Sequence, residues 1–349
     1  MNIEIDDHKL IYHPERVAEF LKNKDTFPIY AEIGLTDACN QKCNFCALDF
    51  LERKGNFLDA NSLYNMLIDV SGKIKSVMYA GEGEPLLHPK IADIIYSTKA
   101  LDIDAAITTN GVLFDKEKRE KILPYLSWIR FSVDSGSPAN YAYMHGTKEK
   151  NFDILINNIE ESVKYRNNNS LNVTIGAQFL TTKDNKNEAE KLAMILKKIG
   201  ADNMQIKPYS KHPLSLNNFE VDEQEYNELE KKLMVYDDDK FKILFRKATL
   251  KRITDGVTYD RCHSLPFYTL IDAKGNVLSC NLFYNNEEYH YGNINESAFT
   301  DIWKSKRRKD AMQKIKDKGV ADCRIGCRMD ATNRYLDRLL HKEPHDNFI

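Results

Sequence analysis

The sequence predicts an α/β fold: a parallel sheet covered by crossover helices, followed by a small C-terminal piece made of a β-hairpin and a helix. Three observations predict it. Short β-type runs alternate with helix-period segments six times between Ile29 and about Tyr209, the pattern of a parallel sheet with crossover helices. A length of 349 residues leaves room for one large domain and an attachment. A content of 42% hydrophobic and 29% charged residues suits a globular chain with a sizeable core, which argues against fibres and disordered tails.

The elements follow in order. Pro14 to Leu21 is expected as a leading helix, with Val17, Phe20 and Leu21 on one face and Pro14 at its first position. Strands are expected at Tyr30 to Leu35, Ser76 to Ala80, Ala105 to Thr109, Trp128 to Val133, Asn172 to Leu180 and Asn203 to Tyr209. Phe152, Leu155, Ile156, Ile159 and Val163 recur at helical spacing, as do Leu192, Ile195, Leu196 and Ile199, and Gly200 suits a left-handed cap. The charged stretch Glu220 to Lys242 reads as a solvated helix and linker. Phe267 to Tyr284 reads as a hairpin turning at Ala273 to Asn276, with Gly275 where positive φ is needed. A helix near Ala298 to Lys316 would carry the basic run Lys306 to Lys309 on a solvated face. The tail ending in Phe348 and Ile349 either packs back or frays. The expected divisions are 1–27, 28–215, 216–254 and 255–349.

Charge narrows the function. With 50 Lys plus Arg against 52 Asp plus Glu, the chain has no overall positive field for nucleic acid or anionic lipid. The start carries Glu4, Asp6 and Asp7 where a secretory signal would be basic and then apolar, and no run of about 18 apolar residues occurs. A cytoplasmic location is therefore expected. Seven cysteines in such a compartment read as metal ligands rather than disulfides.

Cys39, Cys43 and Cys46 form C-x3-C-x2-C directly after the first strand, where parallel α/β folds keep their sites. Three thiolates in eight residues can hold three corners of an iron-sulfur cube and leave the fourth iron open to a small molecule. A zinc site with His88 as fourth ligand, or three unrelated core cysteines, are the alternatives. After the second strand stands "AGEGEP", with Gly83, Glu84 and Pro85. After the third stands "TTNG", with Asn110 and Gly111, and at the end of the fourth "FSVDSG", with Ser132 and Asp134. Each of these segments alone also reads as a turn or a cap.

The cysteine loop, including Phe45 before its third cysteine, resembles that of the radical S-adenosylmethionine (SAM) superfamily. The resemblance implies a partial (β/α)6 TIM-like barrel and a 4Fe-4S cluster whose open iron is chelated by SAM. One electron then cleaves SAM to a 5′-deoxyadenosyl radical that takes a hydrogen atom from substrate. It further implies that Gly83, Glu84 and Pro85 meet the methionine ammonium, that Asn110, Ser132 and Asp134 lie near the nucleoside, and that Gln178 on the fifth strand is a weaker contact. A flavodoxin- or ferredoxin-type electron donor is implied as well.

Cys262, Cys280, Cys323 and Cys327 remain, as C-x12-G-x4-C and then C-x3-C. Four thiolates fit a closed 4Fe-4S cluster or structural zinc, and ligand count alone leaves both open. The region resembles the SPASM and twitch auxiliary-cluster domains, which implies one auxiliary 4Fe-4S cluster and hence two clusters in all. The C-x2-C pair and last lone cysteine of the full SPASM pattern are absent. No cysteine is left over for thiol-mediated epimerisation.

The spacing of Cys262 and Cys280 is similar to that of 2-deoxy-scyllo-inosamine dehydrogenase-type members. That similarity implies oxidation of a hydroxyl on a small polar substrate, a sugar, cyclitol or nucleotide-sugar, with the auxiliary cluster as electron acceptor. Lys207, Tyr209 and His212 at the mouth of the sixth strand, and Arg246, are the candidate proton acceptor and hydroxyl-binding groups. A peptide- or protein-modifying enzyme is the alternative, and a non-catalytic metal-binding or electron-transfer protein a remote one. The 38 residues before Cys39 are few for a leader-binding domain, which favours the small molecule.

Overall fold

The computed structural model describes residues 8–348. Ten strands form one sheet: β1 (Tyr30–Ile33), β2 (Ser76–Tyr79), β3 (Asp104–Thr109), β4 (Leu126–Ser132), β5 (Thr174–Thr181), β6 (Asn203–Pro208), β7 (Lys242–Phe245), β8 (Tyr268–Ile271), β9 (Asn276–Leu278) and β10 (His290–Asn293). Their spatial order is β10-β9-β8-β1-β2-β3-β4-β5-β6-β7. β1 to β7 pair in parallel, each with the next. β8 joins the other side of β1, also in parallel, with Tyr30 opposite Tyr268 and Ile33 opposite Ile271. β9 and β10 then pair antiparallel. The sheet is open between its edges β7 and β10, as a partial barrel requires.

Alternation along each strand sorts the side chains. Ala31, Ile33, Val77, Tyr79, Ala105, Ile107, Ile129, Phe131, Ile175, Ala177, Met204 and Ile206 are buried and form one core with the covering helices. The intervening positions Glu32, Met78, Thr108, Arg130, Ser132, Gln178 and Lys207 line an interior chamber. The helix Lys150–Asn168 buries Phe152, Leu155, Ile159 and Val163. The helix Ala189–Ile199 buries Leu192, Ala193 and Leu196 and ends at left-handed Gly200. Each such side chain contributes roughly 1.5–3 kcal/mol on burial.

All six expected strands form, and Pro14–Leu21 is a helix opened by its proline. The hairpin turns at Gly275, whose φ is 85°. Several elements differ from expectation. The stretch Glu220 to Lys242 is not a solvated linker. Its helix Glu223–Leu233 buries Tyr226, Leu229 and Leu233, and β7 then extends the sheet. The helix near Ala298 to Lys316 breaks in two, Phe299–Lys304 and Lys306–Lys318, because Ser305 is extended and caps the second. Arg308 in the basic run is buried against the Trp303 ring at 3.8 Å and pairs with Asp25 at 2.9 Å. Phe348 is exposed and does not pack back, and Ile349 lies outside the described residues.

Candidate active site

A chamber of about 460 Å³ opens at the carboxyl ends of the parallel strands, and all seven cysteines line it. The loop after β1 is fixed at its entry by Asp37, whose carboxylate accepts from Asn56 N at 2.8 Å and from Asn56 Nδ2 at 2.5 Å. The loop after β2 lies directly against it: Glu84 N donates to Ala38 O at 2.8 Å. This approach requires glycine, since a Cβ on Gly83 would stand 2.1 Å from Ala38 O and 2.6 Å from Thr36 O. The Glu84 carboxylate accepts from Leu86 N, Thr109 Oγ1 and Asn110 N at 3.0, 2.6 and 2.8 Å, tying the loops after β2 and β3 together. Asn110 Nδ2 reaches back to Asn40 Oδ1 at 2.7 Å.

The first thiol set has polar neighbours of its own. His145 sets Nε2 3.0 Å from Val133 O and Nδ1 3.3 Å from Cys43 Sγ. Burial lowers the His145 pKa to about 4, so the ring is neutral, and its Nδ1 also lies 3.0 Å from Gln41 Oε1. Arg53 donates to Cys46 Sγ at 3.2 Å.

The second set sits on a framework of buried polar groups. Asn333 Oδ1 accepts from His263 N and Ser264 N at 2.7 and 2.9 Å, fixing the chain beside Cys262. Arg252 holds Ile325 O, Tyr259 OH at 2.6 Å and Asp330, and so carries the loop between Cys323 and Cys327. That loop is pinned to the barrel at two strands. Gly326 N donates to Ser210 Oγ at 2.9 Å beyond β6, and Arg328 pairs with Glu32 on β1.

The residues fit iron-sulfur clusters better than single ions. None of the seven cysteines is in a disulfide. Burial pushes the thiols of Cys39, Cys43 and Cys262 up, and that of Cys323 up to about 12, and members of each set lie within electrostatic range of one another. A zinc ion with bonds of about 2.3 Å would draw its sulfurs to about 3.8 Å apart. Among the described residues, the only set of three or more His, Cys, Asp or Glu donors within 4.8 Å of one another is Asp260, His263 and Asp337. Neither thiol set is drawn together to that spacing.

Of the other expected site residues, Gly83, Glu84, Asn110, Ser132, Gln178, Lys207, Tyr209 and Arg246 line the chamber. Pro85 does not; it opens a short 3-10 turn behind the loop. Asp134 is fully buried outside the lining, with Oδ1 accepting from Leu180 N at 2.5 Å, so it braces β4 against β5. His212 also lies outside. Its ring stacks on Phe50 at 4.6 Å, and its nitrogens meet Asn281 O and Leu214 N, both at 3.2 Å. It anchors the segment after β6, which crosses to the first cysteine loop: Asp49 accepts from Leu216 N and Asn217 N, and Asn217 Nδ2 donates to Cys46 O at 3.0 Å. His88 is a core histidine bonded to Leu58 O at 2.9 Å, not a metal ligand.

Comparison with known proteins agrees with this geometry. Residues 33–193 match the model of the radical SAM superfamily, and residues 262–328 match SPASM, an iron-sulfur cluster-binding domain. The chain is a radical SAM protein with a SPASM domain. Among curated proteins it is similar to the tungsten-containing aldehyde ferredoxin oxidoreductase cofactor-modifying protein of Pyrococcus furiosus, at 24% identity over 80% of this chain and 81% of that protein. It is also similar to the GTP 3′,8-cyclase of Clostridium acetobutylicum, at 34% identity, but over only 30% of this chain and 35% of the cyclase. Among solved structures, Streptococcus suis SuiB bound to S-adenosylmethionine superposes with a TM-score of 0.68 at 19% identity, covering 88% of this chain and 73% of SuiB. Native anSMEcpe with bound AdoMet gives 0.59 at 15%, covering 89% and 99%.

In this radical SAM fold the sequence carried no signal for Arg53 or His145 as neighbours of the Cys46 and Cys43 sulfurs, since both come from outside the cysteine motif. Glu82 was also passed over. It lines the chamber, accepts from Ala273 N at 2.8 Å, and is raised to about 8 by burial and then by Asp272. Among the described residues no helix is long and apolar enough to cross a membrane.

Proposed function

We propose that this radical SAM enzyme modifies a side chain of a peptide or protein, presented into the chamber between its two cysteine sets. When bound, SAM and the two 4Fe-4S clusters would supply a 5′-deoxyadenosyl radical and an electron acceptor, with Cys39, Cys43 and Cys46 holding one cluster and Cys262, Cys280, Cys323 and Cys327 the other. One observation carries the reading: both thiol sets face the same chamber of about 460 Å³. Pockets for one drug-sized ligand run to roughly 300–1,000 Å³, so beside SAM the space suits a side chain, with the rest of the substrate outside. The fold neighbours support it, because SuiB has been solved with its precursor peptide SuiA and anSMEcpe with the Kp18Cys peptide.

A second reading keeps a small polar molecule as substrate, oxidised at a hydroxyl as in the dehydrogenase-type members. The polar wall formed by Arg130, Gln178, Lys207, Tyr209 and Arg246 favours it, as does the cofactor-modifying relative that spans most of the chain. In either case the residues' work is to orient the reacting group and exclude water, and burial with the surrounding arginines lowers the Lys207 pKa to about 7.

The test begins with anaerobic reconstitution, with about eight irons per chain expected if both cubes form. Extract of the source cells is then dialysed, and each fraction is added with SAM and a flavodoxin- or ferredoxin-type reductant. A burst of 5′-deoxyadenosine over the abortive rate with the retained fraction, lost after protease treatment, is expected. Stimulation by the dialysable fraction alone would refute the peptide reading in favour of the small molecule.

A further inference from the structure

The chamber wall opposite the SAM-contacting loops carries more positive charge than the protein itself neutralises. Arg130 projects from β4 over the Trp128 ring at 4.6 Å. Its polar partner is the Gln205 amide, whose oxygen, turned toward it, accepts from Nε at 3.1 Å and Nη2 at 2.6 Å. Lys207 projects from β6 beside Leu180 of β5, and its ammonium has no hydrogen-bond or ion-pair partner among the described residues, with the buried Asp134 carboxylate within electrostatic range. The carboxylates nearby are committed elsewhere. Glu32 is paired with Arg328, Glu84 holds three donors on the loops after β2 and β3, and Asp134 lies behind the wall. Arg246 and Arg324 add to the positive field, which with burial is why the ammonium of Lys207 is disfavoured. The thiolates of Cys323 and Cys327, beside Arg324 and Arg328, would offset those two arginines when metallated. They leave Arg130 and Lys207 facing open space. Charges held out of water are costly unless an opposite charge meets them.

We propose that Arg130 and Lys207 form an oxyanion subsite, which seats a carboxylate or phosphate group of the substrate on the β4 to β6 side of the chamber. The subsite rests on the reading that SAM lies over the loops after β1 to β3 and reaches no farther than Ser132 and Gln178. It defines the substrate class for that same site: an acidic side chain if the substrate is a peptide, a phosphorylated compound if it is a small molecule. Seated there, the anion turns the remainder of the substrate toward the first cysteine set. Arg130 and Lys207 are thus binding and orienting residues.

The test uses the reconstituted holoenzyme saturated with SAM. Pyrophosphate and glutarate are titrated separately, followed by tryptophan fluorescence, since Trp128 lies on Arg130. A saturable change is expected for at least one anion. Arg130→Gln and Lys207→Gln should each weaken it by about tenfold or more, as loss of a charged hydrogen bond implies, and Lys207→Arg should restore most of the affinity. Tighter binding of pyrophosphate assigns a phosphate source, and tighter binding of glutarate a carboxylate source. No saturable response, affinities unchanged in the Gln variants, or displacement of SAM by the anion would each overturn the subsite. Release of 5′-deoxyadenosine by the unvaried protein is measured in parallel. If release fails while anions bind, the radical SAM reading falls and the subsite stands; if release occurs without anion binding, the subsite alone falls.

Discussion

Gly83→Ala should disable the first metal site while leaving the second intact. The added Cβ would meet Ala38 O at 2.1 Å and Thr36 O at 2.6 Å, where ordinary contact begins near 3.4 Å. Both obstacles are backbone, so the loop after β1 or the loop after β2 must retreat by about an ångström. Overpacking of this kind costs about 1–3 kcal/mol. The hydrogen bond from Glu84 N to Ala38 O, on the same carbonyl, adds about 1 kcal/mol when lost. Together, about 2–4 kcal/mol corresponds to a roughly 30- to 1,000-fold loss in the population of the seated loop. Because Ala38 adjoins Cys39, the loss should appear as metal and ligand affinity rather than as global unfolding. Iron counting after anaerobic reconstitution should fall from about eight toward about four per chain, and equilibrium dialysis should show SAM affinity reduced by at least about 30-fold. Full iron content together with unchanged SAM affinity would refute the argument that the two loops must touch.

Three further outcomes are expected. Burial and Asp272 raise the Glu82 pKa to about 8, so the folded state holds a proton that the unfolded chain has released. Its contribution is fully present below the usual carboxylate range and is lost as pH rises through about 8. Glu82→Gln should therefore flatten the fall in stability between about pH 5 and about pH 8 by on the order of 2–4 kcal/mol, read from urea melts. Cys280→Ala with Cys327→Ala should halve the iron content and stop product formation while some abortive SAM cleavage persists, and normal turnover would exclude the second cluster as electron acceptor. Arg53→Gln removes a charged donor from Cys46 Sγ and should make the first cluster's potential more negative by up to about 60 mV in an EPR-monitored titration.

The strands were legible because a parallel strand covered by helices reads as a compact β-type run, and each of the six stood between clear helical periods. β7 was hidden by its setting. The polar residues that make Glu223–Leu233 look solvated lie on one face, while Tyr226, Leu229 and Leu233 on the other are few enough to be lost among charges. Sequence spacing located all seven cysteines at the chamber, since ligands on one short loop must face the same space. It did not set Asp134 and His212, which lie outside the chamber lining, apart from the residues that line it. Each is chemically suited to a site and lies near one, but a backbone amide from β5 takes Asp134 Oδ1, and the Phe50 ring covers His212. Arg53 and His145 reach the sulfurs only through folding, at distances no local pattern encodes.

The parallel seam between β1 and β8 has a consequence for how the two metal-binding centres are held. Backbone hydrogen bonds set the two halves of the molecule in one register, so the gap between the metal-binding centres is a constant of the sheet rather than the setting of a hinge. The segment after β6 is tied to the first cysteine loop by Asp49 and by Cys46 O. Changing the length of that segment should shift the first cysteine loop while the β1–β8 register stays as it is.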